Sequence, residues 1–156
     1  MVRLEPGELR PAEELERFIA GLAGDGTVVS FVGLARGADA AGERVTGLFL
    51  DSYPGMTEKS LEAIAAAARE RFAISAVQIV HRSGAVAPGA PIVFAAAAAR
   101  HRRAAFEAAD YLMDRLKTDA VFWKKEQKLD GSAWIEPSEA DRADRARWND
   151  RSARSD

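Results

Sequence analysis

The chain has 156 residues, a formal net charge of −2 and a pI of about 5.8, so no global basic field points to nucleic acid. It has no cysteine and only two histidines, His81 and His101, which excludes disulfides, thiolate metal sites and a cysteine nucleophile and argues against structural zinc. Hydrophobic residues make up 47% and charged residues 29%, as in one ordinary globular domain; no apolar run nears the roughly 20 residues that span a bilayer, and the N-terminus has no signal-peptide core, so a cytoplasmic protein is expected.

In chain order, residues 2–4 form a short strand stopped by Pro6-Gly7. Pro11 opens a helix over 11–22, with Leu15, Phe18, Ile19 and Leu22 at helical spacing. Residues 27–34 (TVVSFVGL) are β-branched and apolar on both faces, which predicts a central strand with Arg36 just beyond it. Gly37 to Glu43 has no packing signal and is expected to be a mobile loop near a functional edge. Residues 44–53 resume as a strand, in which Gly47 marks a bulge or a close backbone approach. Pro54-Gly55 turns the chain into a helix over 56–72, whose buried stripe is Leu61, Ile64, Ala65, Ala68 and Phe72.

Residues 77–81 form a strand in which His81 shares the alternation of Val77 and Ile79, the pattern of a satisfied, partly buried histidine. Ser83-Gly84 and Pro88-Gly89 bracket a turn region. Residues 92–99 (IVFAAAAA) begin as a strand although their alanines favour helix. A helix over 102–117 follows, with Ala105, Ala109, Leu112 and Leu116 on one face, then a strand over 122–128, the turn Asp130-Gly131 and a return strand over 132–136. This mixture is α+β, with a mixed sheet and packed helices. Residues 1–136 form the expected single domain. Residues 137–156 form a charged tail, flexible or docked on a neighbouring subunit, with Trp148 the one residue that argues for docking.

The cations carry the functional signal. Arg100, His101, Arg102 and Arg103 crowd the start of a helix, the end that already bears partial positive charge, which suits a bound anion. Arg36 stands at a strand end, Lys117 at a helix end, and Lys124 and Lys125 in a strand that sends them to opposite faces. Each has a plain reading as well. Lys117 alone is an ordinary dipole-compensating residue, Lys124 or Lys125 alone a solvated strand residue, Arg36 alone a surface arginine, and Glu126 a partner for a lysine.

Taken together the motifs are more specific. Phe31-Val32-Gly33-Leu34-Ala35-Arg36 fits F-x-G-x-x-R, and Tyr53-Pro54-Gly55-Met56-Thr57-Glu58-Lys59 fits Y-P-x-M-x-E-K. His81-Arg82-x-Gly84, His101-Arg102 with Ala105-Phe106-Glu107-Ala108, Leu116-Lys117, Phe122-Trp123-Lys124-Lys125-Glu126, Gly131 and Trp134 follow in order. From about Gly26 to Glu136 the chain resembles the large, catalytic subunit of molybdopterin synthase, the MoaE family.

That resemblance implies an α/β-hammerhead fold and a homodimer within a heterotetramer; no cofactor or metal is expected, since the chain has so few cysteine or histidine ligands. It implies as partner a small ubiquitin-like sulfur carrier ending in a Gly-Gly thiocarboxylate. The implied reaction transfers two sulfurs to cyclic pyranopterin monophosphate, forming the molybdopterin dithiolene; a non-catalytic binding module of the same fold is the alternative. By motif, Lys117 and Lys124 match the catalytic lysines. Arg36, His101 and Arg102 match substrate- or anion-binding residues, and Leu34, Ala35, Lys125 and Glu126 are expected to line the same pocket. Lys117 is assigned to the thiocarboxylate and its acyl chemistry, Lys124 to proton transfer and phosphate stabilisation, and Arg36, His101 and Arg102 to clamping the phosphate. The sequence departs from the family at three places. Val121 replaces the usual proline, implying a looser approach to the strand. Gly37 follows Arg36 where Asp or Asn is common. Ser138 lies where some members carry an arginine that reaches a neighbouring subunit, a role left open to Arg142 or Arg145.

Overall fold

The protein was analysed as a computed structural model, which describes residues 1–149. Among the described residues, two four-stranded sheets and four helices form the α+β architecture expected from the sequence. The first sheet contains β1 (Val2–Glu5), β4 (Ala76–Arg82), β6 (Pro91–Ala99) and β2 (Thr27–Leu34), in that spatial order. Strand β6 pairs antiparallel with both β4 and β2, so it is central, and β2 is an edge. The second sheet contains β5 (Gly84–Val86), β3 (Val45–Ser52), β7 (Phe122–Lys128) and β8 (Gly131–Ile135). Strand β5 falls in the stretch the sequence assigned to turns.

The run of alanines in β6 is a packing device rather than a helix signal. Ala95 to Ala99 are all fully buried. Ala96 and Ala98, with Phe94 and Val80, face Leu9 and Phe18, the latter on α1 (Pro11–Ala20). Ala95 and Val93 face the other way, into the main core built from α2 (Met56–Arg71) and α3 (Arg102–Thr118). Methyl side chains let helices approach a central strand closely on both faces, and that tertiary gain overrides alanine's local preference.

A buried acid fixes α1. Glu14 is only 2% exposed, yet Arg3 (2.6 and 2.9 Å), Gln78 (2.6 Å) and Arg17 (2.5 Å) surround its carboxylate. The Arg3 hydrogen bond leads, and with Arg17 and Gln78 it outweighs burial, so the carboxyl is held below its ordinary range. Two glycines answer to close approach. A Cβ on Gly33 would lie 2.7 Å from Val93 Cγ1, where a register shift ends β2; one on Gly47 would lie 2.8 Å from Gln127 Oε1, at the bulge of β3.

Three expectations change. The segment 37–43 is tied down rather than loose: Asp39 Oδ1 accepts from the N–H groups of Ala41 and Glu43, and Lys128 Nζ donates to Asp39 (2.5 Å) and Glu43 (2.8 Å). Gly37 keeps its carbonyl satisfied by Val45 N–H at 2.9 Å. The approach to β7 is not loosened by Val121. Its N–H donates to Ser60 Oγ (3.0 Å), a bond that proline could not make, and its carbonyl accepts from Thr57 Oγ1 (2.8 Å).

The tail is part of the core. Helix α4 (Glu139–Ala146) lies on α3 of its own chain. Trp148, 2% exposed, packs edge-on against Phe72 and Tyr111, and its indole N–H donates to Asp114 (2.5 Å). Arg147 adds a bond to Asp114 at 2.7 Å, and Arg145 one to Asp119 at 3.0 Å. The expected boundary at 136 therefore does not separate the core from the segment up to 149; residues 150–156 lie outside the described residues. Replacing Trp148 with Ala should cost about 3 kcal/mol of stability, read as a lowered urea midpoint. An unchanged midpoint would remove the tail from the core.

His81 joins the two sheets. It is buried, its ring stacks on Phe122 of β7 at 4.1 Å, and its Nδ1–H donates to the Arg82 carbonyl at 2.8 Å. Burial, aided by the charge of Lys124 and opposed by the Arg82 bond, pushes its pKa down to about 4. Unfolded His81 takes up a proton near pH 6.5 while folded His81 does not. Stability is therefore full above that pH and is lost as pH falls toward 4. Between pH 7 and pH 5 the wild type should lose about 2 kcal/mol more than His81→Phe, measured by urea unfolding. Equal losses would show that His81 is not held neutral.

Candidate active site

Strand β7 sets the site because its residues alternate between two faces. Lys124 lies opposite Leu50 of β3 and Ile135 of β8, and Glu126 opposite Leu48 of β3; these face the interior. Lys125 lies opposite Phe49 and Trp134 and faces outward. Its ammonium sits 5.3 Å from the Trp134 ring, which itself meets Trp123 edge-on. Lys125 thus belongs to an exposed aromatic face and not to the pocket in which it was expected.

A pocket of about 280 Å³ opens between the sheets. Leu34, Ala35 and Arg36 enter it from the end of β2, where Ala35 is fixed by backbone bonds to Ala90 (2.9 Å) and Gly89 (2.8 Å). Lys117 and Thr118 come from the last turn of α3, and Phe122, Lys124 and Glu126 from β7. Val45, Leu48 and Ile92 supply an apolar floor. Glu136, Pro137 and Asp141 close the side formed by the tail. Six of the residues expected from the sequence therefore meet here: Leu34, Ala35, Arg36, Lys117, Lys124 and Glu126.

His101 and Arg102 do not. They line a separate exposed depression with Thr27, Arg100 and Arg103, at the opposite end of α3. Fifteen residues of helix separate Arg102 from Lys117, or roughly 22 Å at the helical rise. Within one chain, His101 and Arg102 cannot clamp the same group as Arg36 and Lys117.

The pocket is less purely cationic than the sequence suggested. Arg36, Lys117 and Lys124 share it with Glu126, Glu136 and Asp141. The Lys124 ammonium is held below the ordinary lysine range, chiefly by burial and next by the charge of Lys117, while Asp141 pulls the other way. Asp141 was not anticipated. The signal was Ser138-x-x-Asp141, a capping box: Asp141 N–H donates to Ser138 Oγ (3.1 Å), and Ser138 N–H to Asp141 Oδ2 (2.8 Å). Arg145, a candidate to reach a neighbouring subunit, is engaged with its own Asp119, and Arg142 pairs with Glu136 at 3.8 Å. Among the described residues no group of three or more histidines or carboxylates is placed to hold a metal ion, and no helix is long and apolar enough to cross a membrane.

A desolvated lysine beside a second lysine and an arginine is suited to binding an anion and moving a proton next to it. Comparison with known proteins gives this arrangement its context. The chain is 48% identical over 149 residues to the molybdopterin synthase catalytic subunit of Caulobacter vibrioides, covering 96% of this chain and 97% of that one. It is 44% identical over 149 residues to the protein of the same name from Pseudomonas aeruginosa, covering 96% and 99%. Its fold is similar to the solved structure of the molybdopterin biosynthesis MoaE protein of Burkholderia ambifaria, with a TM-score of 0.79, 40% identity and 95% and 97% of the two chains covered. Residues 5–119 match the model of the MoaE protein family, and the chain belongs to that family.

Proposed function

We propose that this chain is the catalytic subunit of a molybdopterin synthase. In this reading it transfers sulfur from the thiocarboxylated Gly-Gly terminus of a small ubiquitin-like carrier to cyclic pyranopterin monophosphate, forming the dithiolene of molybdopterin in the cytoplasm. The observation that carries the reading is the meeting of Lys117, Lys124 and Arg36 in one pocket of a chain this similar to such subunits. The chain has no cysteine, so the sulfur must arrive on another molecule.

Two anions, a thiocarboxylate and a cyclic phosphate, have to be held side by side, and fixed cations offset their repulsion. Lys117, exposed at the mouth, receives the thiocarboxylate and stabilises charge on its acyl group. Lys124, deeper and depressed in pKa, moves protons and supports the phosphate with Arg36. When sulfur forms its new bond to the pterin, the acyl carbon must be taken up by water, so the carrier returns as a carboxylate.

His101 and Arg102 join the reaction from a second copy of the chain. Strand β2 is a sheet edge that exposes Phe31, Val32 and Leu34, and it begins beside Arg100–Arg103 and ends at the pocket. Two copies paired antiparallel along β2 would set the cation cluster of one against the Arg36 pocket of the other. The homodimer would then carry one small subunit on each chain, as a heterotetramer.

Incubation with the thiocarboxylated carrier and cyclic pyranopterin monophosphate should yield dithiolene. Lys117→Ala should lower turnover at least about 100-fold. Near-normal turnover would overturn its role, and no product beside an active control would leave only a binding module. Mixing Lys117→Ala and Arg102→Ala chains should restore about a quarter of wild-type activity, since half the dimers are mixed and each then holds one intact site. Failure of the mixture to exceed either variant alone would place His101 and Arg102 outside the reaction centre.

A further inference from the structure

We propose that Lys128 is a positioning residue for Arg36: by clamping the hairpin 37–44 through Asp39 and Glu43, it holds the backbone on which the pocket's arginine is mounted. The inference rests on the pocket's role proposed above.

Arg36 needs such support. It is exposed, and among the described residues no hydrogen bond or ion pair holds its guanidinium, so its aim depends on the chain on either side of it. On one side Ala35 is bound to Gly89 and Ala90. On the other the chain leaves as a hairpin that returns at Val45. The hairpin's root is the bond from Val45 N–H to the Gly37 carbonyl (2.9 Å), followed by a bridge between Ala38 and Arg44. Its tip is closed by bonds from Asp39 N–H to the Glu43 carbonyl (2.9 Å) and from Gly42 N–H to the Asp39 carbonyl (3.1 Å). All of its residues except Asp39 are exposed, and none is larger and apolar than alanine, so apolar burial does not hold it down.

An ionic clamp holds it instead. Lys128 Nζ donates to Asp39 Oδ2 (2.5 Å) and Glu43 Oε2 (2.8 Å), and among the described residues these are the side-chain bonds that tie the hairpin to the rest of the molecule. A lone surface pair contributes little. Here one ammonium bridges carboxylates on the two arms of the hairpin, and the Lys128 and Asp39 side chains are mostly covered, at 20% and 14% exposure. With the Asp39 bond leading and the Glu43 bond next, the ammonium is held above the ordinary lysine range and stays charged. Strand geometry brings it there. Lys128 lies opposite Val45, at the root of the hairpin, because the bulge of β3 skips Thr46. It also shares the face of β7 that carries Lys124 and Glu126. One strand face thus presents Lys124 to the pocket and, four residues on, fixes the segment that follows Arg36.

Breaking the clamp from either end separates position from charge. Lys128→Met removes a cation. Asp39→Asn combined with Glu43→Gln leaves the protein two charges more positive, and an amide oxygen at position 39 still accepts from the N–H groups of Ala41 and Glu43. Inorganic phosphate, titrated calorimetrically, should bind both variants about fivefold more weakly, although the second has gained positive charge. In the Arg36→Ala background neither change should weaken phosphate binding further by more than about 1.5-fold. Lys128→Arg, which can still bridge two carboxylates, should stay within about twofold of the wild type. In the reconstituted reaction Lys128→Met should raise KM for cyclic pyranopterin monophosphate about fivefold and leave kcat within about twofold. Tighter phosphate binding by the Asp39→Asn, Glu43→Gln protein would show that these charges act only through their field and would overturn the proposal, as would losses that add in full to that of Arg36→Ala. The calorimetric cycle needs no turnover, so a protein that shows it yet makes no dithiolene would refute the sulfur-transfer reading and leave the positioning of Arg36 standing.

Discussion

The site depends on the period-two alternation of β7, held in one register from both sides. The strand enters through Val121, whose two backbone groups are bound by Ser60 and Thr57 of α2, and it is then paired with β3 and β8 along its length. A slip of one residue would exchange Lys124 and Glu126 for Trp123 and Lys125. That would replace a desolvated ammonium in a cleft by a large indole, and put the cleft's lysine on a solvent-facing aromatic surface. Lys124 lies opposite Leu50 and Ile135, and Glu126 opposite Leu48, all apolar partners. Burial among them is the leading cause of the depressed Lys124 pKa.

Much of the fold was legible because its elements carry strong local signals. Pro11, the turns at Pro54-Gly55 and Asp130-Gly131, and the stripes at Leu61, Ile64 and Leu112 place elements within one or two residues of where they stand. Tertiary compensation accounts for what was missed. The alanines of β6 are strand because helices close on both of its faces, which no window of sequence can show. The 37–43 segment is polar and small, yet Lys128, some ninety positions away, binds two of its acids. The tail has almost no apolar residues, so its composition reads as solvated; one tryptophan inserted between Phe72 and Tyr111 is enough to dock it.

The site was half legible for a different reason. Residue type announced the cations, and motif order grouped them, but neither carries distance. A helix of 17 residues separates its two ends by about 25 Å, so the basic start of α3 and Lys117 at its end cannot share a ligand within one chain. Motif order also placed Lys125 beside Lys124, although strand geometry already required opposite faces. The acids were the larger omission. Glu136 and Asp141 sit in a segment with no periodicity to recommend it, and they reach the pocket only because that segment folds back across α3.

That return gives α4 two tasks that are mechanically one. Its end is held in the core through Trp148 and through the bonds of Arg145 and Arg147 to Asp119 and Asp114. Its beginning presents Asp141 to the pocket through the Ser138 cap. Asp119 lies two residues beyond Lys117, so the pair that anchors the helix also braces the turn that carries the lysine. A helix of eight residues has little stability of its own, and its placement follows from these tertiary contacts. Charge in the pocket is thus coupled to packing in the core: loosening Trp148 would free the carboxylate from its station as surely as replacing it. The segment that composition marked as an appendage is a structural wall of the site.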